Sequence, residues 1–291
     1  MSVAAWLVRQ AFDRDGVRTD AALHDLVPDI VTGETDLSYG SGPDERYDVW
    51  RSGTDRPVVF WVHGGGWIGG DKAHLASYAK ILADRGFEVV VVNYTLSPAA
   101  RYPLALRQVC RALEVVLAGS GRPYVLAGDS AGAHLAAQVA TLLTEPAYAA
   151  RVGLSPQAGR PAGVLLHCGI YAPSLGRDAR GLGGWLVRTI AMSYLGTTDF
   201  DAPVFEEVDL PRQVSRSFPP TWISGGNADP LTDQGRAFAT RLADLGVPVT
   251  PVFYPADHEP PLMHEYQLKL TLPAARSALD SSVAFLHDVT R

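Results

Sequence analysis

Tyr124-Val-Leu-Ala-Gly128-Asp129-Ser130-Ala131-Gly132-Ala-His-Leu-Ala-Ala137 is the stretch on which the reading of this 291-residue chain turns. Its first part is an apolar run of the kind that forms a buried strand, and its last part is alanine-rich and suits a helix. Between them stands Gly-Asp-Ser-Ala-Gly. A glycine two residues to either side lets strand and helix close on one another and lifts the serine out of the sheet on a strained turn. The helix N-terminus then aims free N–H groups at any negative charge that develops there. A bare GxSxG is weak evidence, but the strand–turn–helix setting makes Ser130 a candidate nucleophile. The competing reading is a capping serine in a tight turn.

Outward from this stretch, short apolar runs alternate with helical patterns, the mark of an α/β chain with a mostly parallel sheet and helices on both faces. The runs are Pro57 to Val62, Glu88 to Asn93, Tyr124 to Gly128, Gly163 to Cys168, Thr221 to Gly225 and Val249 to Tyr254. Weaker segments near Asp36 and at Arg46 to Arg51 are expected as antiparallel edge strands. Helices are predicted over Lys72–Arg85, Leu104–Ala118, Ala131–Leu143, Asp233–Leu245 and Pro273–Asp288, with another over Met1 to Phe12. Gly169 to Pro220 is too long for one crossover. Residues 169–220, with residues 1–33 beside them, are therefore expected as cap or lid elements on a single domain spanning 1–291, a packing decoration being the alternative.

After the run Pro57 to Val62 comes His63-Gly64-Gly65-Gly66-Trp67. Consecutive glycines leave backbone N–H groups open to a ligand, and an HGGG loop at this place serves acyl transfer as an oxyanion hole. The expected donors are the N–H groups of Gly65, Gly66 and Ala131, with His63 as an anchor of the loop. A phosphate-binding loop does not fit, because the Lys-Ser/Thr pair and the GxGxxG spacing are missing.

With both motifs in view, the chain resembles the hormone-sensitive-lipase-like esterases of the α/β-hydrolase fold. His63-Gly-Gly-Gly-Trp-Ile-Gly-Gly-Asp71-Lys72 is also similar to a related branch of small esterases and formamidases, and Asn93-Tyr94-Thr-Leu-Ser-Pro98 with Tyr102-Pro103 matches the family's segment after the next strand. The resemblance covers roughly residues 35 to 290 and is weakest in the N-terminal segment and the insertion. It implies an α/β-hydrolase fold and a serine hydrolase acting on small-molecule esters through an acyl-enzyme.

Such a serine needs a histidine to take its proton and a carboxylate to orient that histidine, in the chain order Ser, Asp or Glu, His. Asp229 follows the run Thr221 to Gly225, where the family's acid sits, and Pro230 keeps it out of the next helix. Asp233 competes but reads as a helix start. Two histidines follow the last run: His258 is nearer the strand end, as a short loop demands. His264 has an aromatic residue two positions on, like the family's His-Gly-Phe, and leads into the final helix. His264 is the preferred base and His258 the alternative. Zinc at His258-Glu259 to His264 is not expected, since Pro260 and Pro261 break the helix that HExxH requires. His24, His74, His134 and His167 are scattered, so no metal and no cofactor is expected.

Bulk properties narrow the function classes. With 47% hydrophobic residues and a net charge of -6, the chain can bury a core but has no basic face for nucleic acid. Two distant cysteines, Cys110 and Cys168, argue against a disulfide framework. No membrane span is expected, and the reading is a cytoplasmic protein, with a homodimer left open. Two alternatives stand beside ester hydrolysis: an aryl formamidase using the same triad, suggested by Trp67 and Asp71-Lys72, and a non-catalytic small-molecule receptor. Trp185, Leu186 and Tyr194 suggest an apolar pocket of limited room, and hence short to medium acyl chains.

Overall fold

The computed structural model describes residues 2–291; of the helix predicted over Met1 to Phe12, Met1 lies outside them. Eight strands form one sheet: β1 (Thr32–Ser38), β2 (Arg46–Arg51), β3 (Val58–Val62), β4 (Glu88–Val92), β5 (Tyr124–Asp129), β6 (Gly163–His167), β7 (Thr221–Gly225) and β8 (Val249–Phe253). Their spatial order is β1-β2-β4-β3-β5-β6-β7-β8. The first two strands pair antiparallel at one edge, and every pair from β4 to β8 is parallel. β3 to β7 are buried along their whole length, which is why most of their positions are apolar in succession instead of alternating.

Among the described residues nine α-helices accompany the strands: α1 (Val3–Ala21), α2 (Ala76–Asp84), α3 (Leu104–Leu117), α4 (Ser130–Thr144), α5 (Pro146–Val152), α6 (Gly181–Tyr194), α7 (Pro203–Val208), α8 (Thr232–Asp244) and α9 (Pro273–Val289). The side-chain alternation of each strand feeds two cores. Val58, Phe60 and Val62 of β3 meet Leu106 and Val109 of α3, Val139 of α4 and Phe238 of α8. Val59 and Trp61 enter the opposite layer with Leu82 of α2 and Ala278 and Phe285 of α9. The serine strand β5 lies between β3 and β6, so its C-terminal end has a strand end on each side, the usual place for ligands in open parallel sheets.

Three features differ from the sequence expectations. Helix α1 runs to Ala21, well beyond Phe12: its first half packs Ala5, Val8 and Phe12 against Ile68, Leu186 and Ile190, and its second half is tied down by Asp13 accepting from Gly70 N at 2.8 Å and Asp20 from Ser77 N at 2.7 Å. The segment Lys72–Arg85 begins as a 3-10 turn, capped by Asp71 accepting from Ala73 N at 2.8 Å, before α2 starts at Ala76. Helix α5 is an additional element: Glu145 breaks α4, Pro146 sets the first turn and Gly153 closes it in the left-handed region. At the antiparallel edge, β1 bulges at Asp36, whose φ is 58° and whose N–H donates to Asp48 Oδ1 at 2.9 Å. Within the described residues no helix is long and apolar enough to cross a membrane.

Candidate active site

Ser130 opens helix α4 at a backbone φ of 52°, so the turn between β5 and α4 is as sharp as the sequence motif demands. A Cβ on Gly132 would lie 2.0 Å from the carbonyl oxygen of Val62, so only glycine lets the start of α4 rest on the end of β3. Ser130 itself is buried to 6% exposure.

Against this turn lies the His63–Trp67 loop. A Cβ on Gly64 would come within 3.1 Å of the Ser130 Cβ, which measures how closely loop and serine approach. Gly65 and Gly66 both adopt positive φ, 102° and 58°. Among the described residues neither donates its N–H to a protein acceptor, while the loop's later N–H groups, of Ile68 and Gly69, close back onto Gly65 O. Ala131, second residue of α4, adds one of the N–H groups that a helix start leaves without an intrahelical partner. His63 is buried, its Nδ1 donates to Gly64 O at 2.7 Å and its ring stacks on Tyr94 at 4.5 Å. Burial lowers its pKa, so it stays neutral.

On the other side of the serine, His264 Nε2 is 3.0 Å from Ser130 Oγ, and its Nδ1 is 2.9 Å from Asp229 Oδ2. Asp229 follows β7 and its side chain has no exposed surface. Its Oδ1 accepts from Leu231 N at 2.9 Å, which fixes the carboxylate at the loop just before α8. Asp233 sits instead in the first turn of α8. Burial works against the imidazolium of His264, but Cys168, Asp229 and Glu265 outweigh it and hold its pKa well above the ordinary histidine value. His258 lies apart: its Nδ1 faces Pro260 O at 3.1 Å, with its ring edge-on to Tyr254.

The loop between β8 and His264 is long, and it is tied down from the Asp229 side. Asn227 Nδ2 donates to the carbonyls of Ala256 (3.2 Å) and His258 (3.0 Å), and its Oδ1 accepts from Leu262 N at 2.8 Å. Ala228 N donates to Leu262 O at 3.0 Å. Leu262 is fully buried, so the chain emerges at His264 from a fixed point.

Residues 59–259 match the family profile described as alpha/beta hydrolase fold. The chain belongs to the alpha/beta hydrolase fold family. Among curated relatives of this hydrolase, an esterase of Gibberella moniliformis is 30% identical over 245 residues, covering 77% of this chain and 74% of the relative. Esterase LipC of Mycobacterium tuberculosis is 30% identical over 224 residues, covering 70% and 53%. Among solved structures, esterase B from Lactobacillus rhamnosis superposes with a TM-score of 0.83 at 23% identity, covering 98% of this chain and 94% of that one.

Several residues of this hydrolase's site escaped the sequence reading. In the sequence Asp129 stands at one of the two variable positions of the GxSxG motif. Its carboxylate accepts from Trp61 Nε1 at 2.8 Å and Gly64 N at 2.9 Å, and so pins the glycine loop. Burial, reinforced by the charge of Glu265, pushes its pKa up to about 7. Cys168, just past β6, has a thiol that burial raises to about 11. Cys168, Asp229 and His264 bring one ligand atom each to within 4.8 Å, the one such set among the described residues. A metal there would have to replace the proton that His264 Nδ1 shares with Asp229. From α1, Arg9 donates to Ile68 O (2.6 Å) and Ser97 O (3.0 Å), and Asp13 accepts from Gly70 N (2.8 Å). A sequence gives no sign that a helix more than fifty residues upstream holds this loop.

Other candidates fall into structural places. Lys72 Nζ pairs with Asp36 and Asp48, each at 2.8 Å, and Asp71 caps a turn and accepts from Asn93 Nδ2 at 2.9 Å. The pair behind the formamide alternative thus braces the antiparallel edge and the loop. Tyr194 is buried and stacks on Trp67 at 4.4 Å, and Leu186 joins Phe12 and Ile190. Trp185, expected beside them, is 43% exposed because it lies on the outer side of α6. His134 Nε2 donates to Val208 O at 2.9 Å, and His167 is wedged among Trp61, Tyr78 and Trp222; burial lowers the pKa of both, to about 4 and about 3.

Proposed function

We propose that this chain is a serine hydrolase that cleaves carboxylic esters of small alcohols, with Ser130 as nucleophile, His264 as base and Asp229 as its orienting acid. The observation that carries the reading is the single imidazole lying 3.0 Å from a serine oxygen on one side and 2.9 Å from a buried carboxylate on the other. The esterase names of relatives at 30% identity agree with it. Ser130 Oγ attacks the ester carbonyl as its proton passes to His264 Nε2. The carbonyl oxygen gains charge and is met by the N–H groups of Gly65, Gly66 and Ala131, each such donor worth about 3–4 kcal/mol in the transition state. His264 then protonates the leaving alcohol, and a water activated by the same imidazole releases the acid. Asp229 stabilises the imidazolium in both steps. No step requires a cofactor.

Helices α1 and α6 act as the cap in this proposal. A Cβ on Gly66 would lie 3.0 Å from Phe12 Cε2 of α1 and 3.2 Å from Ile190 Cδ1 of α6, so both helices press on the loop that receives the oxyanion. This close apolar cover favours short to medium acyl chains. The test is hydrolysis of p-nitrophenyl acetate and butyrate by wild type, Ser130→Ala, His264→Ala and His258→Ala. Ser130→Ala and His264→Ala are expected to lose about 10⁴-fold or more in kcat, and His258→Ala to keep its rate. An inert His258→Ala with an active His264→Ala refutes the assignment of the base. Faster turnover of long-chain triglyceride emulsions than of soluble butyrates refutes the acyl preference.

A further inference from the structure

Glu265 stands immediately after the proposed base, at a backbone φ of 57°. This left-handed conformation is unfavourable for any residue with a side chain, and glycine would adopt it freely. A glutamate nevertheless occupies it, and its Oε1 lies 3.7 Å from His264 Nε2. The side chain is 23% exposed. Among the described residues it makes no ion pair with a lysine or arginine; its one charged partner is the imidazole. The other carboxylates around that imidazole, Asp129 and Asp229, are buried and already hydrogen-bonded.

Nε2 is the atom that must deliver a proton to the departing alcohol. The leaving oxygen therefore comes within about 3 Å of it in the transition state. Oε1 and the leaving oxygen share Nε2 as a neighbour, and Glu265 borders the space the alcohol half of the ester occupies. An ammonium two carbons from the ester oxygen lies roughly 3–4 Å from that oxygen, within reach of the carboxylate while the oxygen faces Nε2. We propose that Glu265 forms a subsite for a positively charged alcohol, so that the preferred esters are those of amino alcohols or quaternary ammonium alcohols. The chemistry is unchanged: the acyl–oxygen bond breaks, the bond to Ser130 Oγ forms, and the serine proton leaves on the alcohol through His264. The inference rests on the ester-hydrolase reading above.

The experiment compares kcat/KM for choline butyrate with that for its uncharged isostere, in which carbon replaces the quaternary nitrogen. A cationic alcohol is intrinsically a better leaving group, so the decisive quantity is the change in the cationic-to-neutral ratio between wild type and Glu265→Gln. The ratio is expected to fall about five- to ten-fold in Glu265→Gln, the scale of a partly screened ion pair. It should be partly kept in Glu265→Asp and should narrow in wild type as ionic strength rises. Glu265→Gly suits the left-handed backbone and gives the same readout should the glutamine variant fold poorly. An unaltered ratio, with both esters hydrolysed, overturns this inference alone. If folded wild type hydrolyses neither ester, the ester reading falls and the inference with it.

Discussion

Asp129→Ala separates what a buried carboxylate does for the fold from what it does for the site. The side chain is 4% exposed and receives two donors, Trp61 Nε1 and Gly64 N. Alanine leaves both buried without a partner, at about 1–3 kcal/mol each, so about 2–6 kcal/mol together. Against this stands the penalty of ionising the carboxyl inside the protein. Its folded pKa of about 7 lies above its unfolded value, so folding takes up a proton between the two. The stability this group contributes is complete below about pH 4 and is lost as pH rises through about pH 7. Alanine has no such dependence. The destabilisation caused by Asp129→Ala should therefore be larger at about pH 5 than at about pH 8, by about 3 kcal/mol. Urea unfolding of both proteins at the two pH values reads this directly. Release of Gly64 should in addition lower kcat on p-nitrophenyl butyrate by about ten- to a hundred-fold at either pH, because the oxyanion donors lose their placement. Equal destabilisation at both pH values would refute the buried-charge argument, and an unchanged kcat would refute the tether.

Asp229→Asn tests the electrostatics of the base. His264 must be neutral to accept a proton and its pKa is held above the ordinary value, so wild-type activity should climb with pH beyond the usual histidine range. Removing the carboxylate should move that limb to lower pH and cut kcat by about 10³–10⁴-fold; a limb that stays in place contradicts the assignment. Lys72→Met leaves Asp48, with 4% of its side chain exposed, facing no cation, and should destabilise the fold by about 3 kcal/mol or more in urea unfolding. Its activity per folded molecule should change little, since Lys72 braces the β1–β2 edge and not the site; a large fall in kcat without loss of stability contradicts that placement.

The fold was legible because β3 to β7 are buried on both faces and so are apolar at most consecutive positions, a signal that survives in one sequence. The elbow was legible for a similar reason, since the glycines of the motif answer to local steric contacts, as at Gly132. What escaped reading was long-range. Nothing near Arg9 announces the carbonyls of Ile68 and Ser97, 59 and 88 residues away, and nothing near Asp129 announces Trp61. Helix α1 was cut short because only Ala5 and Val8 of its residues are buried, so its apolar periodicity fades before the helix ends. Glu265 passed unnoticed because a positive φ on a non-glycine residue leaves no trace in sequence.

The choice between His258 and His264 turns on loop length, which is a poor guide when a loop is anchored along its course. Counting from the end of β8 favours His258, since a free loop has to close a shorter distance. Asn227 changes the count: by holding the carbonyls of Ala256 and His258 and the N–H of Leu262, it makes the middle of the loop part of the β7 turn. The segment that places the proposed base then starts at Leu262, two residues before His264, instead of at Phe253. Asn227 and Asp229 lie on one short turn, so the residue that fixes the loop and the residue that orients the imidazole move together. Asn227→Ala should therefore lower kcat through His264, leave the hydroxyl of Ser130 in place for slow phosphonylation by reactive phosphonates, and shift neither the sheet nor the cap. A variant that kept full kcat would show that Leu262 is held by its burial alone.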